Sequence, residues 1–220
     1  MEALAERTLA RHLDTVRVKK PQVATKRLAR ILDSTLTLAN QVGFHSMSLR
    51  DLSEHAGLSM GALYAYFDSK ETLLLMILGT VSEVVEETLG DAPKELPPVE
   101  RLRWLLASHV ALTEALSPWF IFAYMQAKSF PPRARAMAVA AERMTESLLA
   151  EILAEGKTLG TFEIDDVEMC AALIKPMLQD WYVKRSKYRR RHITAEAFAH
   201  SLSAFVEHAI QLRHAGALAG

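Results

Sequence analysis

Apolar residues recur at three- and four-residue spacing along nearly the whole chain, and no run alternates apolar with polar between turn signals. A helix turns every 3.6 residues and a strand alternates every two, so this spacing argues against sheet and predicts an all-α fold. Glycine and proline mark the joints. Leu28, Ile31, Leu32, Thr35, Ala39 and Val42 form one stripe that stops at Gly43, the residue type expected just past a helix end. Ser48, with Asp51 three residues on, has capping-box spacing and opens a short helix from Leu49 to about Ala56, closed by Gly57. Ser59 caps a second short helix, Met60 to Phe67. Asp68 with Glu71 opens a longer one to about Leu89, with Leu73, Leu74, Ile77, Val81, Val84 and Val85 on its inner side.

The stretch Gly90 to Pro98 holds three prolines and a glycine and reads as a loop. After it, Leu102, Leu105, Leu106, His109, Leu112 and Leu116 define an amphipathic helix, Trp119 to Phe130 a short aromatic one, and Pro131-Pro132 starts another that runs to about Glu155. Gly156 and Gly160 bracket the next joint. Asp165 with Glu168 caps a long helix to about Arg191, in which Pro176 removes a backbone hydrogen bond and predicts a kink. Thr194 caps the last helix, which carries Phe198, Leu202, Phe205, Val206, Ile210 and Leu212. The total is nine main helices, with room for an extra one before Lys19.

Charge singles out one end. The chain has 26 Lys+Arg and 26 Asp+Glu, yet from Arg17 to Arg50 there are seven cations (Arg17, Lys19, Lys20, Lys26, Arg27, Arg30, Arg50) against Asp33 alone, a local +6 that leaves −6 for the rest. Such asymmetry is the footprint of a surface facing a polyanion. It coincides with the block SLRDLSEHAGLSMGALYAYFDSKETL, residues 48–73, in which two short helices joined by a glycine-containing turn follow a longer buttressing helix. That is the pattern of a helix-turn-helix. Leu49, Leu52 and Ala56 would pack on Leu63 and Phe67, leaving the opposite face of the second short helix free for a major groove. Lys26, Arg27, Arg50 and Lys70 would supply phosphate attraction, and Tyr64 and Tyr66 would bring hydroxyls to backbone oxygens. The tract Arg17-Val18-Lys19-Lys20 reads either as an arm reaching an adjacent groove or as a solvated tail.

This block resembles the N-terminal signature of the TetR family of bacterial regulators, through Ala56, Gly57, Leu58, Ser59, Gly61, Leu63, Tyr64, Tyr66, Phe67, Ser69, Lys70, Glu71 and Leu73. The resemblance implies that Ser48, Arg50, Ser59, Met60, Gly61, Tyr64 and Tyr66 lie at the DNA, with Lys70 on a phosphate. Many relatives have a polar or basic residue at the Met60 position and a threonine at that of Ala62, so a hydroxyl contact common in the family is missing. It also implies a division into an N-terminal extension (1–20), a DNA-binding domain (21–72) and an effector-binding, dimerising domain (73–220) that pairs through its last two long helices. The implied activity is that of a homodimeric regulator, a repressor released from double-stranded operator DNA by a small apolar effector. An activator of the same fold, or a helical interaction scaffold, is the alternative.

The second half is rich in aromatic and soft side chains suited to an irregular cavity: Trp104, His109, Trp119, Phe122, Met125, Met144, Met177 and Trp181 are its candidate effector contacts, against an ordinary core. The basic run Lys184 to Arg191 reads as solvated cations at a helix C-terminus or as a seat for the phosphates of an acyl-coenzyme A. No histidine, cysteine and carboxylate set has metal-ligand spacing and no phosphate-cradling loop follows a strand, so neither catalysis nor a metal or cofactor is expected. Cys170 reads as a small buried hydrophobe. With no apolar stretch long enough for a membrane span and no leader pattern, a cytoplasmic protein is expected.

Overall fold

The structure is a computed structural model that describes residues 1–12, 16 and 21–210. Among these residues there are eleven α-helices, one 3-10 turn (Ala127–Ser129) and no strand. The helices are α1 (Glu2–Arg11), α2 (Pro21–Val42), α3 (Leu49–Ala56), α4 (Met60–Leu63), α5 (Lys70–Leu89), α6 (Pro98–Ala115), α7 (Ser117–Met125), α8 (Pro132–Thr158), α9 (Val167–Val183), α10 (Arg185–Arg190) and α11 (Ala195–Ala209). The all-α expectation holds, and the extra early helix is α1. The basic tract 17–20 and Leu212 lie outside the described residues.

Two compact units are present, one formed by Met1–Val84 with Pro118–Ala140, the other by Val85–Ser117 with the chain from Ala141 onward. Helices α5 and α8 each run from one unit into the other, so the boundary expected after residue 72 falls inside α5.

In the first unit the α2 stripe packs as its spacing requires: Leu28, Ile31, Leu32, Thr35 and Ala39 are fully buried. Each such aliphatic side chain stabilises the fold by roughly 1.5–3 kcal/mol. Val42 departs from that stripe, 57% exposed at the helix end, and Leu36 takes its place in the core. Helix α5 is buried from Leu73 to Val81 apart from the half-buried Leu75, as befits a helix that passes through a core. Helix α1 is docked rather than loose: the Thr8 and Thr80 hydroxyls share a buried hydrogen bond of 2.7 Å, and Arg11 donates to the Gly79 carbonyl at 3.1 Å. Phe44, Phe122 and Phe130 form an edge-packed trio with centroids 5.5 to 6.3 Å apart, beside the Phe44 N–H donating to Gln126 Oε1 at 3.0 Å.

In the second unit α6 packs against α9 and α11. The long helix expected from Asp165 to Arg191 begins with Asp166 as its cap, whose side chain accepts from the Met169 N–H, and it breaks at Lys184 (φ −115°, ψ 36°). Tertiary contacts explain the break. Arg185 turns to donate two hydrogen bonds to Glu114, at 2.9 and 2.8 Å, and its guanidinium lies 4.1 Å over the Trp181 ring. Trp181, Tyr188 and Phe198 stack with centroids 4.8 to 5.3 Å apart. Asp180 ties the corner by accepting from Lys187 at 2.7 Å and from the Tyr188 hydroxyl. Helix α8 runs on through Gly156 to Thr158, past the end expected near Glu155, and the absent side chain at Gly156 leaves the space that the Phe162 ring fills. Cys170 is half-buried rather than buried.

Candidate nucleic-acid interface and effector site

Local chemistry shapes the two short helices. The Asp51 N–H donates to Ser48 Oγ at 3.1 Å and the Ser48 N–H returns to Asp51 Oδ2 at 2.9 Å, a complete capping box that holds the Asp51 carboxyl below the usual range. Gly57 ends α3 in the left-handed conformation (φ 60°), which a residue with a Cβ adopts only with strain. Ser59 starts α4 by accepting from the Ala62 N–H at 3.2 Å, leaving its own hydroxyl proton for an outside acceptor.

Packing then sorts the faces. Leu52, Ala56, Leu63 and Phe67 are buried, and Arg50, Ser59, Gly61 and Tyr64 are exposed. At Gly61 an added methyl would meet nothing within 4 Å, so the fold itself makes no demand for glycine there. Met60 is half-buried, and Ser48 and Lys26 are exposed.

Two expected contacts differ. Tyr66 is wholly buried, its hydroxyl has no hydrogen-bond partner among the described residues, and burial raises its pKa. It cannot present that hydroxyl to DNA. The reason is geometric: Tyr64, just past the helix, keeps right-handed backbone (φ −65°, ψ −8°), on which residues two apart point about 200° apart, so an outward Tyr64 sends Tyr66 inward. Lys70 is half-buried, pushed down in pKa by burial, with Nζ donating to the carbonyls of His45 (2.9 Å) and Met47 (2.5 Å) above the Phe44 ring. It clamps the loop before α3, and only its remaining proton is free for a phosphate. Arg30 is likewise engaged, donating to the Ala56 carbonyl at the end of α3.

The effector candidates divide. Trp104, His109, Met144, Met177 and Trp181 belong to the second unit, while Trp119, Phe122 and Met125 belong to the first. Phe122 is part of the aromatic trio and Met125 is 56% exposed. Trp181 is fully buried in its stack, and its Nε1 has no acceptor among the described residues. A half-open groove of about 690 Å³ runs between α6 and α11, lined by Ala107, Ala111, Ala199 and Ser203 and by the Arg103–Glu207 ion pair. None of the aromatic candidates lines it. The small residues that make such a groove carry no signal in a search for bulky cavity walls.

Sequence reasoning missed a polar cluster in the second unit. Lys175 of α9, 6% exposed, has Nζ 3.3 Å from His109 Nε2 of α6. Burial, opposed by Glu142 and Glu146, brings the lysine down to about 8, and burial with the neighbouring ammonium holds His109 well below its ordinary value. Gln179, one turn on from Lys175, donates to Glu142. The basic run is largely spent internally: Lys184 and Lys187 pair with Asp180 and Arg185 with Glu114, while Arg189, Arg190 and Arg191 stay exposed. No set of three metal-ligating side chains is gathered among the described residues, and no single helix among them is long and apolar enough to cross a membrane.

Comparison with known proteins matches two stretches of the chain. Residues 31–77 match the family model of bacterial regulatory proteins of the tetR family, and residues 95–205 match that of the tetracyclin repressor-like C-terminal domain. The HTH-type transcriptional repressor KstR of Rhodococcus jostii is 35% identical over 105 residues, 44% of this chain, and the match spans about half (49%) of that repressor's length. Among solved structures, a tetR-family regulatory protein from Rhodococcus superposes with a TM-score of 0.75 at 19% identity, over 86% of this chain and 99% of that one. AibR, solved with isovaleryl coenzyme A and operator DNA, superposes with 0.70 at 24% identity, over 81% and 97%.

Proposed function

The chain belongs to the tetR family of bacterial regulatory proteins, and from that premise we propose that it is a cytoplasmic, homodimeric repressor that α3 and α4 seat on operator DNA and a small effector releases. One observation carries the DNA-binding reading. Arg50, Ser59, Gly61 and Tyr64 are exposed on the same two capped helices whose inner faces bury Leu52, Leu63 and Phe67, so these helices are held rigidly with an outer face unused by the fold. Lys26 and Arg27, exposed on α2, add the sequence-independent attraction to phosphates.

Pairing has its own support in the second unit. Met169 and Leu173, one turn apart on α9, and Phe205 on α11 are 56%, 62% and 63% exposed, an apolar surface of the kind that a partner covers. These are the last two long helices, so a second copy is its natural occupant and the particle then presents two copies of α4. Docking both into successive major grooves requires a spacing of roughly 34–36 Å. An effector that prefers a dimer with another spacing withdraws the protein from DNA by mass action.

The effector is apolar in its main part, in keeping with the soft side chains Met144 and Met177 carried by the second unit. The AibR complex with isovaleryl coenzyme A supports an acyl thioester. For its phosphates the chain offers Arg189, Arg190 and Arg191, the exposed remainder of the basic run.

A gel-shift with the DNA upstream of the chain's own gene tests the proposal. Wild type binds, and Tyr64→Ala loses most of that affinity while keeping its helical content. A wild-type chain that binds this DNA no better than unrelated sequence at equal salt refutes the reading.

A further inference from the structure

A buried ammonium is costly unless its protons find acceptors, and Lys175 is short of them. Of its three N–H donors one points to His109 Nε2 at 3.3 Å, and no ion pair is formed with Glu142 or Glu146, although both bear on it electrostatically from α8. The Glu142 carboxylate is already engaged by Gln179. The next residue, Pro176, has no N–H to return to the Ala172 carbonyl, so α9 is weakest in its own hydrogen bonding right beside this lysine. Donors left over, with a buried imidazole behind them, form a polar spot between α6 and α9.

On the premise that the second unit is the effector-binding one, we propose that Lys175, oriented by His109, donates to a neutral oxygen on the effector: a ketone, ester, thioester or hydroxyl. The two glutamates decide against an acid. A carboxylate ligand would gain one positive partner and face two negative ones, whereas an uncharged oxygen takes the vacant N–H donors without that repulsion. Lys175 thus reads which oxygen the apolar molecule carries.

The test uses the full-length chain and three probes of matched length, 2-undecanone, undecanoate and undecane, titrated calorimetrically. Wild type binds the ketone at least about tenfold more tightly than either of the others, the scale of one hydrogen bond to a charged donor. Lys175→Met abolishes that preference and keeps the undecane affinity. Glu142→Gln, which keeps the shape and removes one negative charge, lowers the ketone-over-undecanoate preference several-fold, and it carries the test if Lys175→Met fails to fold. Undiminished ketone preference in Lys175→Met, an unchanged ratio in Glu142→Gln, tightest binding of undecanoate, or no ketone binding by wild type overturns the proposal. Gel-shifts on the same preparations separate the two readings: a chain that binds its operator but fails these titrations refutes the role of Lys175 alone, and one that passes them without binding DNA refutes the repressor.

Discussion

Gly61→Ala separates what the fold needs from what a ligand needs. The position is exposed, its backbone is helical, and a methyl placed on it meets no atom within 4 Å. The unbound protein therefore has no steric reason to resist alanine, and the change from glycine gains up to roughly 0.5–1 kcal/mol by restricting the unfolded chain and favouring helix. For a chain of this size, that amounts to a rise in Tm of no more than a few degrees. At the DNA the sign reverses. Gly61 sits in the first turn of α4, two residues after the Ser59 cap, where the backbone of a groove-docked helix comes nearest its partner. A methyl pressed into a close-packed contact costs about 1–3 kcal/mol, and a dimer makes the contact twice, so operator affinity is expected to fall by about thirtyfold or more. Fluorescence anisotropy with labelled operator at fixed salt, beside a thermal melt, reads both quantities. Operator affinity equal to wild type would mean that this face does not approach DNA. A Tm lowered by several degrees would mean that the surface of α4 is already occupied within the protein.

Tyr66→Phe removes a hydroxyl that is buried without a partner among the described residues, so it is expected to leave operator affinity unchanged and to raise or maintain stability, whereas Tyr64→Ala is expected to lower operator affinity with little change in stability; a gel-shift and urea melt on the pair check this. Leu173→Asp places a charge in the exposed apolar surface of α9 and is expected to shift the chain to monomer in sedimentation velocity and to weaken operator binding with it, while leaving the helical signal intact. Lys175 adds a pH signature. Burial lowers its folded pKa from 10.5 to about 8, so between those values the unfolded chain holds the extra proton and stability from this group rises with pH. Wild type is expected to gain stability relative to Lys175→Met as the pH of a urea melt is raised from 8 to 10.5, and parallel profiles would contradict it. Gly156→Ala is expected to destabilise the second unit, since a methyl there collides with the buried Phe162 ring, and an unchanged Tm would show that the ring yields freely.

What the sequence determined by itself lies mostly within four or five residues. The Ser48–Asp51 box, the Ser59 and Thr194 caps, the left-handed glycines at 43 and 57 and the apolar stripe of α2 follow from short-range hydrogen bonding, steric permission and helical period, all present in the local sequence. The recognisable order of these signals also made the DNA-facing block legible. Side-chain assignments that depend on distant partners were not legible. Whether Lys70 reaches a phosphate or the carbonyls of His45 and Met47 depends on a segment more than twenty residues away. The break at Lys184 has the same origin, because Glu114 and Phe198 draw Arg185 and Tyr188 off a helical path that local propensity alone would continue. The burial of Lys175 is the extreme case: a lysine reads as surface until α6 and α8 close over it, since burial is a property of the packed assembly of helices and not of any residue or its neighbours in sequence.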